Sequence, residues 1–297
     1  MIGDDLITEA RRAESSELDV LSTDELARLM NREDAIVAGA VAASLPDITA
    51  VIDAVVERVR GGGRLIYVGA GSSGRLAELD AAECEATFSV APGRVIAVLA
   101  GSTAPTPFER EAAEDDADAG ARDVVAVDAG SSDAVIVVSA SGRTPYAVGA
   151  ARAAARAGAF TACLVCCAGS ELAEACEREI CVVVGAEILA GSTRLKAGTA
   201  QKLVLNMLST VSMIRLGKTY AGLMIDVVPA NEKLRARVRR VVGEATGAPP
   251  GAVDQALSEA AGEPKVAILS LVAGLDAETA RERLAAADGN LRDALAG

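Results

Sequence analysis

Two glycine- and hydroxyl-rich turns hold the residues best suited to chemistry. The first, Gly69-Ala-Gly-Ser-Ser-Gly-Arg75, follows a short apolar run and leads into an Ala/Leu/Glu-rich segment. Strand, glycine–serine turn and helix is how α/β proteins build anion sites. Glycines let the backbone approach the ligand, N–H groups at the helix start point at negative charge, and Ser72 and Ser73 add donors. Gly69, Gly71 and Gly74 satisfy G-x-G-x-x-G, by itself a weak dinucleotide signal, and no Gly-Lys-Ser/Thr closes the turn as in a P-loop. A plain strand-to-helix turn that needs glycine for φ > 0 is the simpler alternative. The second turn, Ser139-Ala-Ser-Gly-Arg-Thr144, repeats the logic with Ser139, Ser141 and Thr144. Two such turns at the carboxyl ends of parallel strands fit one anionic ligand at a switch point.

The chain contains no histidine, so acid–base work falls to Asp, Glu, Lys, Tyr or Cys. Glu111-Ala-Ala-Glu-Asp-Asp116 is an acidic run on an expected helix, and on its own a solvated face is the preferred reading. Arg194 and Lys196, with Thr193 and Lys202, fall near the start of a long helix. Charge is costly there unless an anion or a partner carboxylate waits for it. Cys163-Leu-Val-Cys166 has the form of a redox pair or half a zinc site. Small apolar residues filling a buried strand is the preferred reading, because no second C-x-x-C follows.

The elements that must position these residues follow from composition and periodicity. The 297 residues suffice for one large or two smaller domains, and with 51% hydrophobic but only 2% aromatic content the core must be aliphatic. A net charge of -13 argues against a sequence-independent grip on nucleic acid. No apolar run reaches the ~18 residues of a membrane span, and the acidic start Met-Ile-Gly-Asp-Asp lacks a signal peptide's pattern. The expectation is a cytoplasmic protein. Short aliphatic runs at 64–68, 94–99, 134–139, 160–166 and 180–184 read as strands buried on both faces. Between them lie Ala-rich helices near 74–86, 108–119, 145–157 and 170–176, and a long apolar helix at about 195–216. This alternation predicts an α/β fold: a parallel sheet flanked by helices, with right-handed crossovers. Ahead of it, Ser22-Thr-Asp-Glu25 is a capping-box start, and 48–59 has amphipathic spacing. Residues 230–245 form a basic helix, read as a solvated face in preference to a nucleic-acid patch. Pro249-Pro250-Gly251 precedes three short helices near 252–261, 264–273 and 276–296. The resulting division is 1–50 helical, 51–220 the α/β domain, 221–248 a connector and 249–297 a three-helix module.

These motifs together resemble the N-acetylmuramic acid 6-phosphate etherases, sugar-isomerase-type (flavodoxin-like) proteins related to the glucokinase regulatory protein. The resemblance covers nearly the whole chain: Asn31-Arg-Glu-Asp34, the first turn, Asp80-Ala-Ala-Glu-Cys84, Ala113-Glu-Asp-Asp116, Ser141-Gly-Arg-Thr-Pro-Tyr146, Asn231-Glu-Lys-Leu234 and Gly289-Asn-Leu-Arg292. The stretch from Gly191 to Ser209 is specific to the etherases. There are departures. Ser72 stands where the family usually has threonine, Glu85-Ala-Thr-Phe88 where it has Pro-Pro-Thr-Phe, and Arg12-Ala13 where it has Asn-Pro. The resemblance implies a homodimer that cleaves the lactyl ether of a phosphosugar without metal or nucleotide. It places the catalytic glutamates at Glu83 and Glu114. It assigns the phosphosugar to Gly71, Ser72, Ser73, Ser139, Ser141 and Thr144, with Arg194 and Lys196. A non-catalytic phosphosugar sensor and an aldose–ketose phosphate isomerase are the alternatives. A sugar-sensing transcription factor would need a basic N-terminal domain that 1–50 does not suggest.

Overall fold

The computed structural model describes residues 7–227 and 232–297. The acidic Met1–Asp5 start and Asn231 of the Asn-Glu-Lys-Leu match lie outside the described residues. The chain forms two compact units, one of Met1–Ala82 with Gly93–Ser209 and one of Glu83–Pro92 with Thr210–Gly297. Two of their boundaries fall inside helices, after Ala82 and after Ser209, and the third lies between Pro92 and Gly93.

In chain order the first unit carries α1 (Thr23–Asp34), α2 (Val37–Ala43), α3 (Leu45–Arg60), β1 (Leu65–Gly69), α4 (Gly71–Phe88), β2 (Val95–Leu99), α5 (Pro107–Ala112), α6 (Ala117–Ala126), β3 (Ala134–Val138), α7 (Pro145–Arg156), β4 (Phe160–Val165), α8 (Glu171–Ala175), β5 (Arg178–Cys181) and α9 (Lys196–Arg215). The last residues of α4 and of α9 belong to the second unit. The five strands form one parallel sheet in the order β2-β1-β3-β4-β5. On one face Ile66, Val68, Val135, Val137, Cys163 and Val165 pack against Val124, Tyr146, Ala147, Ala150, Ala151, Ala154 and Leu172 from α6, α7 and α8. Alanine and glycine replace the missing aromatics by letting helices approach closely. Where α6 crosses α7, a Cβ at Gly120 would lie 2.0 Å from the Tyr146 carbonyl oxygen, and one at Gly149 2.0 Å from that of Ala117. The alternate residues Leu65, Tyr67, Ile136 and Leu164 are as deeply buried, and α3 packs on β1, β3 and β5.

Three expected elements differ. The helix after the first turn begins at Gly71, not near residue 74. The helix expected over 108–119 is broken into α5, a 3-10 turn Ala113–Asp115 and α6. Asp116 leaves helical geometry at φ -96 and ψ 94, and its side chain caps α6 by accepting the Ala119 N–H at 2.8 Å. The third C-terminal helix, expected over 276–296, is two, Ala277–Ala286 and Leu291–Ala296.

In the second unit a two-stranded hairpin, β6 (Thr219–Tyr220) with β7 (Leu223–Met224), precedes α10 (Glu232–Thr246), α11 (Pro250–Glu259), α12 (Pro264–Ala273), α13 (Ala277–Ala286) and α14 (Leu291–Ala296). α10 buries Val238, Val241 and Val242 in one core with Val253, Ile268, Leu269, Leu284 and Leu291. Its Lys233, Arg235, Arg239 and Arg240 are exposed, as a solvated face requires. Among the described residues no single helix is long and apolar enough to cross a membrane. The bent pair of α1–α2 with α3 reaches that length only across a 61° break.

Candidate active site

β1 lies between β2 and β3, so the strand order reverses beside it. In such sheets the crevice at the carboxyl ends of the two central strands is where ligands bind. Both hydroxyl-rich turns stand there, one after β1 and one after β3.

In the first turn Gly71 opens α4 at φ +52. Gly74 packs so tightly on the end of β1 that a Cβ would lie 2.7 Å from the Gly69 carbonyl oxygen and 2.2 Å from Leu99 Cδ1. Ser72 and Ser73 therefore sit in the first helical turn, where backbone N–H groups lack intrahelical partners. The Arg75 guanidinium donates to Ser72 Oγ at 3.3 Å. Ser73 Oγ donates to the Gln201 side-chain oxygen at 2.9 Å.

The hydroxyls of the second turn are held locally, while the Ala140 and Gly142 carbonyls accept the N–H groups of Cys166 and Leu172. Ser139 is buried, its Oγ lies 3.1 Å from Thr144 Oγ1, and it accepts the Gly142 N–H at 3.1 Å. Ser141 Oγ accepts the Arg143 N–H at 3.2 Å. Thr144 precedes α7, with Pro145 in the first helical turn.

The 3-10 turn between α5 and α6 brings Glu114 to the first turn. A Cβ at Gly71 would lie 2.4 Å from Glu114 Oε1, so only glycine leaves room for this carboxyl. Glu114 is half-buried, and its pKa is raised, first by burial and then by repulsion from Glu111 and Asp115, against the pull of Arg75. Glu83 is exposed on α4, within the part of that helix that belongs to the second unit. Glu85 is likewise exposed.

Arg194 is exposed in the turn before α9. Lys196 is 3% exposed, and its ammonium donates to Glu33 Oε2 at 2.8 Å. Arg12 pairs with the same carboxylate. The carboxylate that the position of Lys196 demanded thus comes from the Asn31–Asp34 match. Lys196 is thus held by an ion pair within the protein. The start of α9 is itself occupied by Glu187, 1% exposed, whose two oxygens accept the N–H groups of Lys196 at 3.1 Å and Ala197 at 2.9 Å.

Gln201 and the pairing of Asp80 carry no local signal in the sequence, because their partners Ser73 and Ser209 lie far along the chain. Asp80 is buried, receives Tyr67 Oη at 3.0 Å and Ser209 Oγ at 3.1 Å, and has the Lys202 ammonium at 3.7 Å. Tyr67, Asp80, Lys202 and Ser209 thereby tie β1, α4 and α9 into one frame behind the first turn. Cys163, Cys166 and Cys167 are buried free thiols, and burial pushes the Cys166 thiol up, the opposite of what a reactive pair needs.

The glucokinase regulatory protein N-terminal SIS domain model matches residues 47–155, and the SIS domain model matches residues 113–211. An N-acetylmuramic acid 6-phosphate etherase of Rubrobacter xylanophilus is 56% identical over 98% of this chain and 96% of its own. The chain belongs to the N-acetylmuramic acid 6-phosphate etherase family. Etherases of Streptomyces avermitilis and Caldanaerobacter subterraneus are 54% and 46% identical, each over 98% of this chain and 94% and 95% of theirs. Among solved structures, a phosphoheptose isomerase from Francisella tularensis is 18% identical and superposes with a TM-score of 0.50 over 65% of this chain and 99% of its own. That likeness shows the sugar-isomerase-type fold of the α/β unit of this chain.

Proposed function

We propose that this chain cleaves the D-lactyl ether of N-acetylmuramic acid 6-phosphate to N-acetylglucosamine 6-phosphate and D-lactate. The observation that carries the reading is the full-length identity to etherases, and the placement of Glu114 against Gly71 supports it. In the ring-opened aldehyde the C2 proton is acidic. A base removes it, lactate leaves from C3 with a proton from an acid, and water adds back at C3. Glu83 is the proton donor to the leaving lactate and Glu114 the second acid–base group. Two carboxyls suffice when their surroundings push their pKa values apart, and burial raises the pKa of Glu114, the direction a proton-exchanging carboxyl needs. Gly71, Ser72, Ser73, Ser139, Ser141, Thr144, Arg194 and Lys196 hold the phosphosugar. The reaction belongs to the recycling of cell-wall sugars in the cytoplasm.

The enzyme acts as a homodimer. Supporting this, none of the residues of amphipathic α1 is buried, and Leu79, Val211 and Ile214 are exposed on α4 and α9. Light scattering at micromolar concentration is expected to give a dimer mass, and a monomer would overturn the assignment. Incubation with N-acetylmuramic acid 6-phosphate and an assay for D-lactate tests the activity. Tight phosphosugar binding without lactate release would replace it with the sensor reading.

A further inference from the structure

We infer that Gln201 is a positioning residue whose carboxamide decides whether the Ser73 hydroxyl proton is spent inside the protein or offered to the phosphate. The inference rests on the proposed role of Ser73 as a phosphate ligand. Gln201 is 1% exposed on α9. Its oxygen takes the Ser73 hydroxyl proton at 2.9 Å, and its amide nitrogen is buried without a hydrogen-bond partner.

A serine hydroxyl has one proton and two lone pairs. With its proton turned toward Gln201, Ser73 presents only lone pairs to anything bound at the turn, the wrong polarity for a phosphate. The same arrangement leaves two N–H donors of the carboxamide unmet, and a buried unmet donor is costly. A half-turn about the terminal torsion of Gln201, which has broad two-fold preferences, reverses both defects. The nitrogen then donates to Ser73 Oγ from the position the oxygen held. The hydroxyl proton is released toward the ligand. The buried position receives a carbonyl oxygen, which tolerates a missing partner better than an N–H does. The side chain therefore has two states of nearly equal shape, and an anion at the first turn selects the one that makes Ser73 a donor.

Binding of N-acetylglucosamine 6-phosphate, measured by calorimetry at pH 8 and pH 5.5 and referred to wild type at each pH, tests this. Gln201→Glu places an acceptor-only carboxylate against Ser73 and holds the proton inward. Its affinity at pH 8 is expected to fall about 10- to 100-fold, the worth of one charge-assisted hydrogen bond. At pH 5.5 the introduced carboxyl begins to gain a proton to donate, and part of the loss is expected to be recovered. Ser73→Ala should lose affinity equally at both pH values. Wild-type affinity of Gln201→Glu at pH 8, or a loss unchanged at pH 5.5, overturns the inference. Should Gln201→Glu fail to fold, Gln201→Met keeps the volume and removes the orienting donor. A loss of about 5-fold or more supports the inference and wild-type binding overturns it. Wild-type affinity of Ser73→Ala would instead remove Ser73 from the phosphate site, a failure of the proposed function and not of Gln201.

Discussion

The two hydroxyl-rich turns look alike in sequence but are built on opposite plans. In the second the hydroxyls are held locally, Ser139, Ser141 and Thr144 by one another and by the N–H groups of Gly142 and Arg143, while only its backbone reaches out, to Cys166 and Leu172. The first is held from outside. Ser73 is fixed by Gln201, 128 residues away, Gly71 is matched to Glu114, and the helix behind it is anchored by Asp80 to Tyr67 and Ser209. The helix that leaves the first turn also carries Glu83, whereas the helix that leaves the second, Pro145–Arg156, carries no acid. On the proposed roles, the turn that also serves proton transfer is the one whose hydroxyl and acid are placed by parts distant in the chain, each independently of its neighbours.

The largest expected effects lie with the carboxyls of the first plan. Glu83→Gln keeps shape but cannot deliver a proton, so lactate release should fall about 10²–10⁴-fold with phosphosugar binding kept, while Glu85→Gln stays within a few-fold. A dead Glu85→Gln with an active Glu83→Gln would break the assignment. Glu114→Gln should be comparably slow and lose exchange of the C2 proton with solvent. It should also raise the melting temperature at neutral pH. The folded-state pKa of Glu114 is raised, so its favourable contribution is present below the unfolded carboxyl value of about 4.3 and lost as pH rises through the folded value. The gain in melting temperature should therefore vanish toward pH 4.

Gly71→Ala comes next. At φ +52 and 2.4 Å from the Glu114 carboxyl, the added methyl must displace the acid, and misplacement of that size costs about 10²-fold in turnover. Gly142→Ala, at φ +65 and against Ser170, should lower the melting temperature and raise KM while turnover is largely kept. Equal kcat losses at both glycines would erase the contrast between the turns. Ser141→Ala should weaken phosphosugar binding about 10-fold, leaving the unphosphorylated sugar unaffected. The smallest effect belongs to Asp116→Ala, which removes the cap of Ala117–Ala126. It should cost about 1 kcal/mol of stability in a denaturant titration, with activity within a few-fold.

The strands and both turns were legible because aliphatic runs and glycine–hydroxyl clusters are local signals. The true start of the helix at Gly71 was not, since Gly-Ser-Ser-Gly has poor intrinsic helix propensity and only packing against the end of the strand enforces it. The break at Ala113–Asp115 was hidden by good helix formers on both sides. Its one local sign was Asp116, an N-cap type placed before a fresh helical run. The break in the last expected helix had a similar sign in Asp288-Gly-Asn290, where Asn290 caps the final helix. The partners of Lys196 and Ser73 stand 163 and 128 residues away, so no window of sequence could reveal them. The position of Lys196 near a helix start calls for an anion or a carboxylate, and the fold supplies Glu33.

The crossing of Ala117–Ala126 with Pro145–Arg156 at Gly120 and Gly149 has a kinetic meaning. One helix starts directly after the Glu114 turn and the other directly after Ser141 and Thr144. Backbone pressed on backbone leaves no side chain that could act as a bearing, and the Tyr146 hydroxyl bonded to Asp123 at 2.7 Å adds a bolt across the same joint. The acid and the second turn are therefore carried by a single body and cannot breathe separately. Amide protons along this crossing should be among the slowest in the chain to exchange with deuterated solvent, released only when the whole α/β unit opens.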